Sequence, residues 1–311
     1  MYNIVLATDD NYAIHACVAI ESFLRTFSVP ENVRVFLLGN NLSSEWIRAI
    51  SKTVAEHNAT AIVIHIHNIE DRLQSKLQIN ALSLATYSRL LLTELLPPDA
   101  DTVLYLDCDM VVTTDLKPLL DTDLTTYELA AVADTMYPEL KTQIGLNTTD
   151  AYFNAGLLLI NLKKWREQNM VTQFINFIAK YNGNVPHLDQ GVLNGTITKW
   201  LQLPLKYNVQ APIFAFNKYS SLLSYYSLSE FYSKEEYISA KTSPAVIHFT
   251  SFFLQRPWFH FCLHPFKDKY REIAKALFSD FSLSHNRRLR TLDKLKCLAF
   301  VKLQPLYLLI R

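Results

Sequence analysis

An α/β protein is predicted, with a mixed, mainly parallel sheet flanked by helices and a small helical appendage at the C-terminus. Three observations carry that reading. Short apolar runs alternate with helical stretches over roughly the first 200 residues, the pattern of strands joined through helices. Two of those runs lead into carboxylates, as strands do when they deliver charge to the edge of an open sheet, where such folds keep their sites. The chain has 311 residues, half of them hydrophobic, which suits one large core and leaves little for a second full domain.

Residues 3–8 read as the first buried strand, and Tyr12 to Phe27 as a helix with Ile14, Val18 and Leu24 on its apolar face. Between them lies the acidic turn Asp9-Asp10-Asn11. A dinucleotide-binding turn needs glycines for close approach of pyrophosphate; this one has none, and the whole chain has 6. A phosphate-cradling GxxxxGK[ST] loop is absent too. The turn either caps the helix that follows, since Asp and Asn are favoured there, or accepts hydrogen bonds from a base N–H or from ribose hydroxyls.

Residues 33–38 form a second predicted strand, 44–57 a helix and 61–67 a third strand. His65 and His67 share a face of it with no acid or cysteine beside them, which makes them polar positions on a half-exposed strand rather than metal ligands. Residues 83–96 read as an apolar helix stopped by Pro97-Pro98, with Arg89 set into the apolar surround. A buried arginine requires a fixed anion, supplied by the protein or by a ligand.

Thr102-Val-Leu-Tyr-Leu-Asp107-Cys108-Asp109 is the centre of the pattern. In extended backbone, residues two apart point the same way, so Asp107 and Asp109 converge while Cys108 faces the opposite side. Close carboxylates repel and are costly to desolvate; either a divalent cation sits between them or both stay solvated at a strand-to-loop turn. Residues 127–132 form the next strand and lead to Asp134; residues 152–161 form another, apolar except for Asn154 and Gly156. A helix is predicted over 163–181. His187-Leu188-Asp189-Gln190 then opens a short helical segment, placing a carboxylate and an amide where exposed N–H groups also favour anions. Residues 207–237 are rich in Tyr and Phe without a clear period, and 243–248 is a short strand ending in an imidazole.

Composition excludes several classes. With 30 basic and 29 acidic residues, nucleic acid is not the principal partner. Four scattered cysteines fit a reducing compartment and form no zinc motif. The apolar run 4–7 meets Asp9 and Asp10 too soon to be a signal peptide, and no apolar stretch is long enough to span a bilayer, so a cytosolic protein, or one held at the cytosolic face of a membrane, is expected.

Four motifs stand in order: Thr8-Asp9-Asp10-Asn11-Tyr12; Leu104 to Asp109; Tyr152 to Leu162 with Lys163-Lys164-Trp165; and His187 to Gln190 ahead of Leu193-Asn194-Gly195, joined by His248 and Pro257-Trp258. Together they closely resemble glycosyltransferase family 8, within it the bacterial lipopolysaccharide and lipooligosaccharide galactosyl- and glucosyltransferases, over about residues 2–260. The resemblance implies a Rossmann-like, GT-A type catalytic domain over 1–262 and a C-terminal helical segment over 263–311. It implies Mn²⁺, with Mg²⁺ as the alternative, on Asp107, Asp109 and His248. Asp9, Asn11 and Tyr12, with Ala7 beside them, would hold uracil and ribose. Arg89, Asp134, Asn154, Ala155, Asp189 and Gln190 would line the donor sugar or face the reacting centre, with Cys108 between the metal ligands.

The implied reaction is retaining transfer of galactose from UDP-galactose in α-linkage onto the terminal sugar of a lipooligosaccharide or lipopolysaccharide. UDP-glucose is the alternative donor; a sugar-nucleotide hydrolase and a non-enzymatic binding module are the competing classes. Family members commonly follow the histidine with a short glycine-containing run and then Lys-Pro-Trp at the pyrophosphate. Here the run from His248 to Trp258 is longer, lacks the glycine and carries Arg256, so Ser251 and Arg256 stand in for those contacts. Aromatic residues of about 207–240 are expected to stack on acceptor sugars. From His285 to Arg311 seven cations face Asp293 alone, interleaved with leucines, as in a helix lying on an anionic membrane surface.

Overall fold

The computed structural model describes residues 1–74 and 84–309. Residue 83, where the predicted apolar helix begins, lies outside the described residues. Among the described residues the main sheet has seven strands, in the order β3-β2-β1-β4-β7-β6-β8. These are β1 (Tyr2–Thr8), β2 (Val33–Asn40), β3 (Thr60–Ile66), β4 (Thr102–Leu106), β6 (Leu129–Ala133), β7 (Phe153–Asn161) and β8 (Trp200–Gln202). A smaller sheet joins β5 (Met110–Val112), β10 (Val246–His248) and β9 (Val209–Gln210), in the order β5-β10-β9.

β1, β2, β3 and β4 run parallel, while β7 lies antiparallel to both β4 and β6. The sheet is therefore mixed, as expected. β1 and β7 are buried along nearly their whole length because helices and loops cover both faces. On one face Ile4, Leu6, Leu104, Leu157 and Leu159 pack toward the helix Ala13–Thr26; on the other Val5, Tyr105, Leu158 and Ile160 pack toward Trp165 and Phe174.

Several predicted elements change on folding. The helix predicted over 163–181 is two helices, Leu162–Glu167 and Met170–Lys180, separated by Asn169 in the left-handed region. The apolar stretch around Arg89 is a 3-10 segment, Leu84–Leu91, followed by one α turn, Leu92–Leu95. The aromatic stretch holds β9 and the helices Ala211–Ala215, Tyr219–Tyr226 and Lys234–Thr242. Phe214, Phe216, Tyr226, Tyr232 and Tyr237 are buried in the core, while Tyr207, Tyr219, Tyr225 and Phe231 are half-buried.

The C-terminal helices pack on this body. In Lys267–Leu277, Tyr270 is buried and hydrogen-bonded to His15 at 2.5 Å. In Thr291–Lys302, Cys297 and Phe300 face inward, and Gln304 then donates to Ala215 O at 3.0 Å and accepts from Asn217 N at 2.8 Å. Leu292, Leu295, Leu303 and Leu306 stay more than half exposed. No described helix is long and apolar enough to cross a membrane.

Candidate active site

β4 ends at Leu106, and the chain turns before β5 begins at Met110. Asp107 and Asp109 flank that turn. Their convergence is thus produced by the turn that carries the chain from one sheet to the other, not by strand alternation. Asp107 N donates to Gly156 O at 2.8 Å and Phe249 N to Asp109 O at 2.8 Å, which ties the acidic turn to β7 on one side and to the end of β10 on the other. Antiparallel pairing sets His248 opposite Met110. That register brings the imidazole to the acids: His248 Nε2 lies 3.1 Å from Asp109 Oδ1 and 3.8 Å from Asp107 Oδ2.

One ligand atom from each of Asp107, Asp109 and His248 lies within 4.8 Å of the others. The donor set, two carboxylate oxygens and one imidazole nitrogen, suits a divalent cation of the manganese or magnesium kind. Asn208, fully buried, settles which imidazole nitrogen is free. Its Nδ2 donates to Asn154 Oδ1 at 2.8 Å, so its Oδ1 faces His248 Nδ1 at 2.9 Å and accepts that proton. Nε2 is thereby the nitrogen that meets the carboxylates, donating a proton to Asp109 when it carries one and offering a lone pair to a cation when it does not, the usual control of a ligating histidine. Gly156 supplies the room, because a Cβ there would sit 2.4 Å from His248 Cε1.

Arginines balance the acids. Arg89 is buried; it donates to Asp107 Oδ1 at 2.8 Å and to Ala155 O at 2.5 Å, and its Nε lies 3.0 Å from Asp189 Oδ2. Its guanidinium lies 4.2 Å over the Tyr105 ring. The anion this arginine required is therefore protein carboxylate. Arg256 NH2 lies 3.3 Å from Asp109 Oδ2, and NH1 donates to Tyr12 OH. Burial alone would push the Asp109 carboxyl up, but His248 and Arg256 outweigh it and hold it below the ordinary carboxylate range. Burial pushes Asp107 and Asp189 up against the pull of Arg89. Burial also pushes the Cys108 thiol up; it donates to Ala7 O at 3.2 Å and is an unreactive wall residue.

A third group fixes the opposite wall. Asp134 leaves β6 after a register shift between Ala131 and Ala133, which re-aims the chain end. Its Oδ2 accepts from Asn154 Nδ2 at 3.1 Å and from Gln190 Nε2 at 3.0 Å. Gln190 Oε1 in turn accepts from Ala155 N at 2.9 Å. Asp189 and Gln190 occupy the first turn of the helix Leu188–Thr196. The chain folds tightly into that turn, since a Cβ at Gly191 would fall 1.8 Å from Pro186 O.

These walls enclose a cavity of about 290 Å³ lined by Ala7, Asp9, Tyr12, Arg89, Asp107, Cys108, Asp109, Asn154, Ala155, Asp189, Gln190 and Arg256, all singled out in the sequence. Thr86, Tyr105 and His187 line it as well and were missed, as was Asn208 behind it. Tyr105 sits inside an apolar run that reads only as core, and nothing local distinguishes Asn208. Four expected residues stand outside the lining: Asp134 and His248 back it through Asn154, Gln190 and Asp109, while Asn11 and Ser251 lie off it. Asn11 is exposed, its N–H drawn to Asp9 Oδ1 at 3.0 Å; Asp9 also accepts from Tyr12 N, so its side chain orders the turn ahead of the helix, without capping the helix itself, and lines the cavity at once. Ser251 is exposed where the loop leaves β10, and Arg256 reaches the cavity in its place. His65 is exposed and His67 likewise; neither belongs to a metal-holding cluster among the described residues.

A mixed sheet of this order, with an acid-acid-imidazole cluster at its edge facing a polar cavity, is the architecture of a GT-A type glycosyltransferase. The chain belongs to glycosyltransferase family 8, whose model, described as glycosyl transferase family 8, matches residues 3–262. It is similar to the galactosyltransferase LgtC crystallised with donor and acceptor sugar analogues, at 30% identity and a TM-score of 0.73, covering 88% of this chain and 95% of that one. General stress protein A of Bacillus subtilis is 26% identical over 86% of this chain and 91% of its own length. Lipopolysaccharide 1,3-galactosyltransferase of Salmonella typhimurium is 30% identical over 62% of this chain and 58% of its own. The putative glycosyltransferase of Haemophilus influenzae is likewise matched over 58% of its length, so the chain aligns with little more than half of these two relatives.

Proposed function

We propose that this enzyme transfers galactose from UDP-galactose, with retention, onto the terminal sugar of a lipopolysaccharide or lipooligosaccharide. UDP-glucose is the second donor reading, because the two sugars differ at one hydroxyl and a few wall contacts decide between them. The observation that carries the proposal is the Asp107, Asp109 and His248 cluster, whose two acids line a cavity shared with Asp189, Gln190 and Asn154, the last two held by Asp134. Similarity to a lipopolysaccharide galactosyltransferase and to LgtC favours galactose and a saccharide acceptor.

Asp107, Asp109 and His248 would hold Mn²⁺ or Mg²⁺, which when bound supplies positive charge to the departing diphosphate. Asp9 and Tyr12 would face uridine, and Arg256 the diphosphate. Two features of the far wall argue against a covalent sugar intermediate. Gln190 is a neutral amide whose oxygen already accepts from Ala155 N, and Asp189 is paired with Arg89. The acceptor hydroxyl therefore attacks the anomeric carbon on the face from which phosphate leaves. The bond to the β-phosphate oxygen breaks, and the hydroxyl proton passes to that phosphate.

Leu292, Leu295, Leu303 and Leu306 are exposed among Arg287, Arg288, Arg290, Lys294, Lys296 and Lys302, which suits peripheral binding to an anionic membrane, here the cytoplasmic face of the inner membrane. Each cation near such a surface adds about 1 kcal/mol. Turnover of a panel of UDP-sugars with and without Mn²⁺, followed by NMR of the linkage, tests the reaction. An α-linked galactoside formed only with metal is expected; a chelator-insensitive reaction, or free sugar as the sole product, would overturn it.

A further inference from the structure

The loop that follows β10, residues 249–258, carries Arg256 into the cavity, and its middle residues pack on the C-terminal helices. Phe253 stacks face to face on Phe300, with ring centroids 4.1 Å apart and planes 6° from parallel. Phe252 meets the edge of the same ring at 5.5 Å, and Tyr307 closes over Phe253 and Phe300 at 5.7 and 5.4 Å. Leu254 is buried beneath them. Gln255 donates to Cys297 Sγ at 3.7 Å, accepts from Asn286 Nδ2 at 3.2 Å, and its carbonyl receives the Cys262 thiol at 3.3 Å.

Gln255 also has a φ of +59°, in the left-handed region that a non-glycine side chain enters only when its surroundings hold it there. The residue so held is the one immediately before Arg256. Downstream, Trp258 stacks on His15 at 3.8 Å, and Arg256 lies over the Trp258 ring at 5.3 Å. The guanidinium is thus aimed from both ends. Its Nε is buried with no hydrogen-bond partner, a donor left for an anion.

We propose that Phe300 and Phe253 are positioning residues for the diphosphate end of the donor site: the helix Thr291–Lys302 holds Arg256 where a nucleoside diphosphate meets it. The last helices then support the Arg256 wall of the cavity without lining it. This rests on the UDP-sugar reading, and the test separates the two.

Phe253→Leu and Phe300→Leu keep apolar volume and lose the stack. An aromatic pair of this kind is worth about a two- to tenfold change in binding. UDP affinity in the presence of Mn²⁺, measured by calorimetry, is expected to fall by about that factor in either variant. Uridine affinity, measured by ligand-observed NMR, is expected to stay unchanged, because the nucleoside lacks the group that Arg256 meets. Amide exchange of 250–257 should quicken while that of β1 and β4 holds. Equal losses for UDP and uridine would show general loosening and overturn the assignment, and so would unchanged UDP binding. Should the unaltered enzyme fail to bind UDP at all, the donor reading itself falls, which is a result in the parent protein and not in the variants.

Discussion

Asp109 carries more of the site than its neighbours, because among the described residues it alone is ion-paired with His248 and Arg256 together. Asp109→Asn is expected to lower turnover by about 10²–10³, the size of losing one preorganised charge contact. Asn208 makes a sharper test. It touches neither substrate nor cation in the proposed site, yet it holds the His248 tautomer. Asn208→Ala should weaken Mn²⁺ binding by about 10–100-fold, read by electron paramagnetic resonance without any turnover. Wild-type affinity in that variant would remove Asn208 from the metal centre. Asp107, Asp109 and His248 were legible in the sequence because acids after an apolar run and a histidine ending a short strand stand out. Asn208 was not: its role exists only where β9 lies beside β10.

Strand β7 contributes backbone as much as side chain. Asn154, Ala155 and Gly156 each accept or donate at the cavity edge, and Gly156 passes directly under the imidazole. Gly156→Ala forces a methyl into His248 Cε1 and Met110 Cε, both under 3.0 Å away. Overpacking of that kind costs about 1–3 kcal/mol, so urea unfolding should show a lowered midpoint and titration a weakened metal site. A variant with unchanged midpoint and metal affinity would mean the ring has room to move. The strand itself was plain from its apolar run. Its antiparallel direction was not, because a strand buried on both faces reads the same either way. The split of 162–180 at Asn169 was hidden for a related reason: apolar spacing continues across the break while one left-handed residue turns the axis.

Stability should depend on pH through two histidines far apart in sequence. His15, against Trp258 and Tyr270, and His264, among Phe214, Phe249 and Phe266, are buried, and burial lowers each pKa to about 3. In the unfolded chain each titrates near ~6.5. Between those values the unfolded state binds the proton and the folded state does not, so their stabilisation is complete above about pH 6.5 and is lost as pH falls toward 3. Urea midpoints measured from pH 7 to pH 4 should fall, and His264→Phe should reduce the slope by about one proton, or about 1.4 kcal/mol per pH unit. An unchanged slope would count against buried neutral His264. By itself the amino-acid order determined the strand runs, the acidic pair, the absence of a glycine phosphate turn and the family motifs, because each is a local pattern of polarity and size. Only the tertiary structure decided that Arg89 is paired with the protein's own carboxylates, that Asn208 backs His248, and that the last helices close on the Arg256 loop. Those facts depend on which distant segments share a surface, and burial, not sequence separation, sets the strength of such contacts.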